Sequence, residues 1–510
     1  MISVRELEEK TQVQLSQVHY ERGMGILLPV FSLPSRYGIG TFGEEAYRFV
    51  DYLEACGMRY WQILPLGPTS YGDSPYSSFS SFAGNPYFID LELLAKEGLL
   101  SAEELEPVDF GEDSESVDYA LLYNNRYRIL KRAYQRASKM DRKAQDVFLL
   151  RNQSWLTDYA LFMAIKQEFM DVSWTEWQDP FKLRDAEALQ GFRESHAREI
   201  DFQVWMQFVF FKQWHAVKEY ANAHGIQIIG DLPIYAAADS ADVWSNAEAF
   251  QMDEKRNLME KAGVPPDFYN AEGQLWGNPL YNWKALAEND YDFWISRMRE
   301  SMLRYDIVRL DHFLGFANYW SVPGQEETAR NGAWKKGPGL ELFQVLERKL
   351  GPLPILVEDL GALTEEVVEL RTQAGFPGMR PIQFAFCEEN SEYQPHNYSY
   401  RTSVYSSTHD SDTLLGWWRD TATIEEKNRV LAYFGLEADQ DVIKGILRGL
   451  CASVADFCIV SMQDLLELDN SARINRPGYL GNNWRWRMQQ DYIKQAQVVK
   501  LREMVRRYGR

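Results

Sequence analysis

Cysteine is scarce in this chain. Cys56, Cys387, Cys451 and Cys458 are four among 510 residues, and no two stand in a CxxC spacing. That excludes a disulfide framework and leaves reduced thiols of the kind found in cytosolic proteins. Long apolar runs are missing too: none approaches the ~18 residues that a membrane-spanning helix needs. The opening stretch MISVRELEEKTQVQL has charge but no apolar centre, so it does not read as a signal peptide. A cytoplasmic location is expected. Positive charge is also short, with 54 Lys+Arg against 74 Asp+Glu and a formal charge of -20. Such a balance argues against nucleic acid or an anionic membrane as a partner. No internal repeat or low-complexity tract breaks the sequence. A Gly-rich phosphate turn after the first strand, which a doubly wound sheet would use, is absent: in GMGILLP the glycines precede the strand.

Aromatic residues are plentiful, at 14% with 16 Trp and 28 Tyr. Many stand beside Gly, Pro, Asn and Asp, in loop-like sequence. Aromatic faces next to polar groups suit sugar rings, whose C–H faces are apolar and whose hydroxyls need partners. Along the chain, short apolar runs alternate with helical patterns. The runs are 25–35, 59–66, 226–235, 306–313, 354–361, 379–386, 402–410 and 456–466. Eight strands with helices between most of them predict an α/β fold, a (β/α)₈ TIM barrel forming one catalytic domain over 1–510. Two segments carry no barrel strand. Residues 67–203 predict an inserted loop and helical subdomain between the second and third strands. Residues 236–284 predict an inserted loop region, rich in Pro, Gly and aromatics, between the third and fourth. A terminal helix is expected from about Trp486 to Tyr508.

Four strands end in acids: Asp231 on the third, Asp311 on the fourth, Glu358 and Asp359 on the fifth, Asp410 on the seventh. In a barrel those ends share one face. Like charges brought together raise one another's pKa, a cost tolerated mainly where chemistry needs it. Retaining glycoside chemistry fits: one ionised carboxylate attacks, and a second, protonated one serves the leaving oxygen at a separation of about 5–5.5 Å. Arg309, two residues before Asp311, shares its side of the strand and can hold it ionised. Glu358 follows the apolar run Ile355-Leu356-Val357, surroundings that favour a protonated carboxyl. A zinc site from His312, His409, Asp311 and Asp410 is the competing use of these residues. Strand alternation is expected to turn His312 away from Asp311, so neither a metal nor a cofactor is expected.

Longer motifs point the same way. GILLPVFSLPSRYGIGTFG, WQILPLGPTSYGDSPYSSFSSFAGNPYFID, IGDLPIYAAADSADVW, GVPPDFYNAEGQLWGNPLYNW, VRLDHFLGF, VEDLG, SSTHDSDTLLGWW, MQDLL and GNNWRWR together resemble the 4-α-glucanotransferases (amylomaltases, or disproportionating enzymes) of glycoside hydrolase family 77, in the α-amylase clan. The resemblance covers nearly the whole chain. It implies Asp311 as nucleophile with Arg309 as its partner, Glu358 as acid/base and Asp410 as transition-state stabiliser. It implies His409 as a substrate-binding residue, Asp231 near the bound glucose, Ser74 and Tyr76 on the donor side, and Trp276 in a loop over the glucan. The partners implied are α-1,4-glucan donor and acceptor sugars. One stretch, RINRPGYLGNNWRWR, departs from the family's pattern at Arg476 and Tyr479, which bears on acceptor preference. The 264–283 loop, with Phe268, Tyr269, Trp276 and Tyr281, is the expected device for excluding water so that a sugar acts as acceptor. An α-amylase-like hydrolase and a non-catalytic glucan-binding protein are the alternatives. The first would use the same three acids; the second would be expected to lack one of them.

Overall fold

The computed structural model describes residues 4–70, 72–140, 142–266, 270–361, 363–437, 441–479 and 481–510. In chain order its strands are β1 (Gly23–Leu27), β2 (Tyr60–Gln62), β3 (Gln227–Leu232), β4 (Glu260–Val264), β5 (Gln274–Pro279), β6 (Ile307–Leu310), β7 (Asn318–Pro323), β8 (Ala333–Lys336), β9 (Ile355–Val357), β10 (Gly378–Pro381), β11 (Thr402–Tyr405) and β12 (Phe457–Ser461). Eight of them pair in parallel in the order β10-β11-β12-β1-β2-β3-β6-β9. This is the chain order of the eight expected strands, wrapped into a barrel.

The two ends of the sheet, β9 and β10, meet at a seam. Val357 N–H donates to the Pro377 carbonyl at 3.0 Å. The fully buried Asp359 accepts from Met379 N–H at 2.7 Å and pairs with Arg380 (3.2 Å) and Arg371 (3.3 Å). Burial alone would raise the Asp359 pKa, but the two guanidiniums hold it below the ordinary carboxylate value. Of the two adjacent acids at the end of the fifth strand, Asp359 therefore closes the barrel. Asp359→Ala leaves the buried Arg380 without its counter-charge, while Arg371 keeps its second partner, Glu8. It should cost about 3–5 kcal/mol, read as a lowered guanidinium unfolding midpoint.

Two apolar cores result from strand alternation. Leu27, Tyr60, Ile229, Ile307, Leu356, Met379, Tyr405, Phe457 and Ile459 fill the barrel. A much larger cluster lies between the strands and the helices outside them. The helix Glu44–Cys56 shows how that outer layer forms. Ala46, Phe49, Val50 and Leu53 bury one face, and Gly57, at φ 74°, ends the helix in the left-handed conformation that glycine adopts without strain. Among the described residues no helix is long and apolar enough to cross a membrane. The four cysteines are free, with Cys387 exposed and the other three buried.

Three features differ from the sequence reading. The 27-residue helix Ala197–Ala223 runs through position 203, where a subdomain boundary was expected. Its apolar residues face both the insertion and the barrel, so no composition shift marks the crossing. The terminal helix is shorter, Gln495–Arg507. The 236–284 region is not only loop. β4 and β5, with β7 and β8 from beyond the fourth barrel strand, form an antiparallel sheet in the order β5-β4-β7-β8. Their sequences EKAGV, QLWGNP, NYWSVP and AWKK are short and carry Gly, Pro and Asn. They give no clear alternation to read.

Candidate active site

The strand register builds the site. Asp231 on β3 is the Cα partner of Arg309 on β6, one layer above the apolar pair Ile229–Ile307. The side chains meet: one guanidinium nitrogen of Arg309, Nη1, donates to both Asp231 oxygens at 2.8 and 2.7 Å and to Asp311 Oδ1 at 3.0 Å. Arg309 and Asp231 are 4% and 3% exposed, so the pair is desolvated and charge-assisted. Tyr76 O–H donates to Asp231 Oδ2 at 2.7 Å. Asp231 therefore anchors both the arginine and the tyrosine of the long loop after β2.

The strand β6 ends at Leu310, so Asp311 and His312 lie in the turn beyond it. This overturns the expectation for His312. Strand alternation does not apply to a turn, and at φ 50° His312 takes a left-handed backbone that brings its side chain to the same cavity as Asp311. Its N–H donates to Glu358 Oε2 at 2.7 Å, and Leu360 N–H donates to Oε1 at 3.1 Å. Burial and the nearby Asp311 carboxylate push Glu358 up to about 8, against the lowering effect of Arg309 and those two N–H groups. Glu358 thus holds a proton at neutral pH while Arg309 keeps a positive charge against Asp311.

Asp410 stands five residues beyond the end of β11 at Tyr405. Its loop is held from below by the buried Asp464, which accepts from Ser406 Oγ (2.5 Å), Ser407 Oγ (2.6 Å) and Leu414 N–H (2.6 Å). Asn475 Nδ2 donates to Asp410 Oδ1 at 2.6 Å, His409 Nε2 lies 3.3 Å from Oδ2, and Arg473 Nη2 donates to the Asp410 carbonyl at 2.7 Å. Burial raises Asp410, but His409 and Asn475 outweigh it and bring the carboxyl down to about 2, so it is ionised throughout the physiological range. The His409 ring stacks on Tyr76, with centroids 5.1 Å apart and planes at 16°. Trp484 leans on both rings.

Asp311, His312, His409 and Asp410 open into one cavity of about 690 Å³, lined also by Ser74, Tyr76 and Trp276, with Glu358 held behind His312 by its N–H. The helical insertion braces its wall: Lys166 Nζ donates to Asp239 Oδ2 at 2.6 Å, and Asp239 lines the cavity. Trp276, 38% exposed, projects from β5. Of the other expected aromatics in that region, Tyr281 is buried and bonds to the Ile234 carbonyl, a structural place, while Phe268 and Tyr269 lie outside the described residues. Arg476 and Tyr479 sit on the turn whose Pro477 and Gly478 line the cavity, and Tyr479 is 72% exposed. Among the described residues no group of three His, Cys, Asp or Glu side chains is arranged to hold a metal ion.

The family model for glycoside hydrolase 77, 4-alpha-glucanotransferase, matches residues 28–493. The chain belongs to this family. A 4-alpha-glucanotransferase of Clostridium butyricum is 45% identical over 483 residues, covering 94% of this chain and 99% of its own. One from Thermus thermophilus is 44% identical over 495 residues, at 95% and 98% coverage. The amylomaltase of Streptococcus agalactiae, solved in complex with acarbose, superposes with a TM-score of 0.94 at 42% identity, over 96% of this chain and 100% of that one.

The family model spans every barrel strand except β1 (Gly23–Leu27), which ends one residue before the match begins. Sequence reasoning had found Asp231, Arg309, Asp311, Glu358, His409 and Asp410 through their place at strand ends. It missed Asn475 and Trp484, which reach the cavity from a segment with no regular structure, and Asp464, which reads as one more acid after a strand. No spacing rule singles these three out.

Proposed function

We propose that this chain is a retaining 4-α-glucanotransferase that works by double displacement, with a covalent glucosyl–Asp311 ester between its two halves. Glu358 gives its proton to the glycosidic oxygen as Asp311 attacks the anomeric carbon. The 4-hydroxyl of an acceptor glucan then attacks that carbon, Glu358 takes the hydroxyl proton, and Asp311 leaves as a carboxylate. Asp410 faces the sugar hydroxyls and stabilises the oxocarbenium-like state, with His409 beside it. Arg309 donates to Asp311 and orients its carboxylate. Ser74 and Tyr76 contact the donor glucan, Asp231 lies near the bound glucose and holds Tyr76 in place, and the strand that carries Trp276 covers the glucan. One observation carries this reading. Burial and the neighbouring Asp311 carboxylate keep a proton on Glu358, while the buried Arg309 donates to Asp311 at 3.0 Å. The amylomaltase of Streptococcus agalactiae binds acarbose, and a ligand of that kind is expected in the cavity here.

Maltotriose distinguishes transfer from hydrolysis. Incubation should yield glucose together with maltodextrins longer than the starting trimer. Glucose and maltose alone would sink the transfer reading in favour of an amylase-like hydrolase.

A further inference from the structure

The two segments that present Asp410 have no regular structure. Asp410 lies in the loop after β11. Asn475, which donates to its Oδ1, lies in the stretch after the short turn Asn470–Ala472. Neither a strand ladder nor a helix sets the spacing between them. Asp410 also opens to the cavity, so packing does not aim its carboxylate.

Arg473 joins the two segments instead, through all three nitrogens of its guanidinium. Nε donates to the Asn475 carbonyl at 2.8 Å, and Nη2 donates to the Asp410 carbonyl at 2.7 Å. Nη1 pairs with the carboxylate of Asp412. Asp412 is itself anchored: Thr421 Oγ1 donates to its Oδ2 at 2.7 Å, and its carbonyl accepts from Gln383 Nε2 at 2.8 Å. A guanidinium is planar and its donors are fixed relative to one another. These bonds therefore set how far the Asp410 main chain stands from that of Asn475. Two further bonds depend on that distance: Asn475 N–H donates to the His409 carbonyl at 3.0 Å, and Asn475 Nδ2 donates to Asp410 Oδ1 at 2.6 Å. Ile474, between Arg473 and Asn475, is buried, and its carbonyl accepts from Trp484 N–H at 2.7 Å. The other side of Arg473 lines a separate cavity of about 520 Å³. A shorter side chain there leaves no sealed void, so Arg473 is placed for its donors more than for packing.

We propose that Arg473 is a positioning residue that aims the Asp410 carboxylate at the sugar by fixing the Asp410 and Asn475 main chains to each other. The proposal rests on the role given to Asp410 above. The bond from Arg473 to Asp410 goes to the main chain, so the arginine acts through the placement of the carboxylate. Each half of a double displacement passes through an oxocarbenium-like state that Asp410 faces. A group held about 1 Å from its place costs on the order of 10²-fold in rate. Both halves slow alike when the same carboxylate is misplaced, so turnover falls while KM holds.

Turnover of maltotriosyl fluoride, with glucose as acceptor and fluoride release as the signal, tests this. Arg473→Lys keeps a cation against Asp412 but has one nitrogen where the arginine uses three. The assay is run about ten degrees or more below the unfolding midpoint of each variant, where the chain stays folded. There, kcat of Arg473→Lys should fall about tenfold to a hundredfold, with KM changed by less than about threefold. Asn475→Ala keeps the carbonyl that Arg473 uses and removes the donor to Asp410. It should slow turnover to a similar degree. The double variant should lose less than the product of the two single losses, because both act on one carboxylate. The proposal is overturned if Arg473→Lys keeps more than about half of its kcat, if its loss lies in KM, or if the two losses multiply in full. Asp410→Asn checks the underlying reading and should lower fluoride release by at least about 10²-fold. If it does not, the stabiliser role of Asp410 is overturned and this proposal with it. If it does while Arg473→Lys turns over normally, the proposal alone is overturned.

Discussion

Asp311→Ala should lower transfer from maltotriose by at least about 10⁴-fold, the scale expected when a covalent nucleophile is removed from an otherwise intact site. The loss should lie in the chemistry and not in the fold. Asp311 shares Arg309 with Asp231, and Asp231 is bonded to the same Nη1 through both oxygens. When Asp311 is cut back, the buried guanidinium keeps its counter-charge. The unfolding temperature should therefore stay near that of the unaltered chain while the rate collapses. Asp311→Asn, which keeps the shape and one acceptor but cannot attack as an anion, should be equally inactive. A variant that keeps more than about one part in a hundred of the rate would assign the nucleophile elsewhere.

The second large effect belongs to Glu358. Its pKa, raised to about 8 by burial and by Asp311, sets a limb of the pH profile. The protonated form is the active one in the first half-reaction. For the free enzyme, kcat/KM on maltotriose should therefore hold across neutral pH and fall about tenfold per unit once pH rises past that value. Asp410, held at about 2, is ionised across that range and contributes no limb there. Glu358→Gln should abolish the alkaline limb and cost about 10²–10⁴-fold on maltotriose. It should cost far less on fluoride release from maltotriosyl fluoride, whose leaving group needs no proton. A limb that persists unchanged in Glu358→Gln would show that another group titrates there.

How much of this was legible in the sequence varies by element. The eight barrel strands were readable because each is a short apolar run between helical patterns, and their order in the sheet follows from right-handed crossovers. The acids at their ends were readable because charge after an apolar strand is conspicuous. Of the two acids at the end of β9, Glu358 was singled out by the apolar run before it and by the family resemblance. The place of Asp359 was not readable, because alternation turns it the other way without showing that Arg371 and Arg380 meet it across the seam. The four-stranded sheet was hidden because β5 and β7 carry Gly, Pro and Asn where a strand signal needs β-branched and apolar residues. Extending the fourth strand through Phe313 had the largest consequence. It applied period-2 alternation to a turn, and so placed His312 on the wrong side. Asn475 and Trp484 depend on a long return of the chain that no local pattern encodes.

A covalent sugar on Asp311 is the central claim, and it can be weighed directly. Glu358→Gln loaded with maltotriosyl fluoride should accumulate the ester, because the second half-reaction lacks its base. After rapid acid quench and digestion, peptide mass spectrometry should find the maltotriosyl group on the peptide that contains Asp311, and fragmentation should place it on that residue. A sugar found on Asp231 or Asp410, or fluoride released in many turnovers with Asp311 always unmodified, would contradict the account.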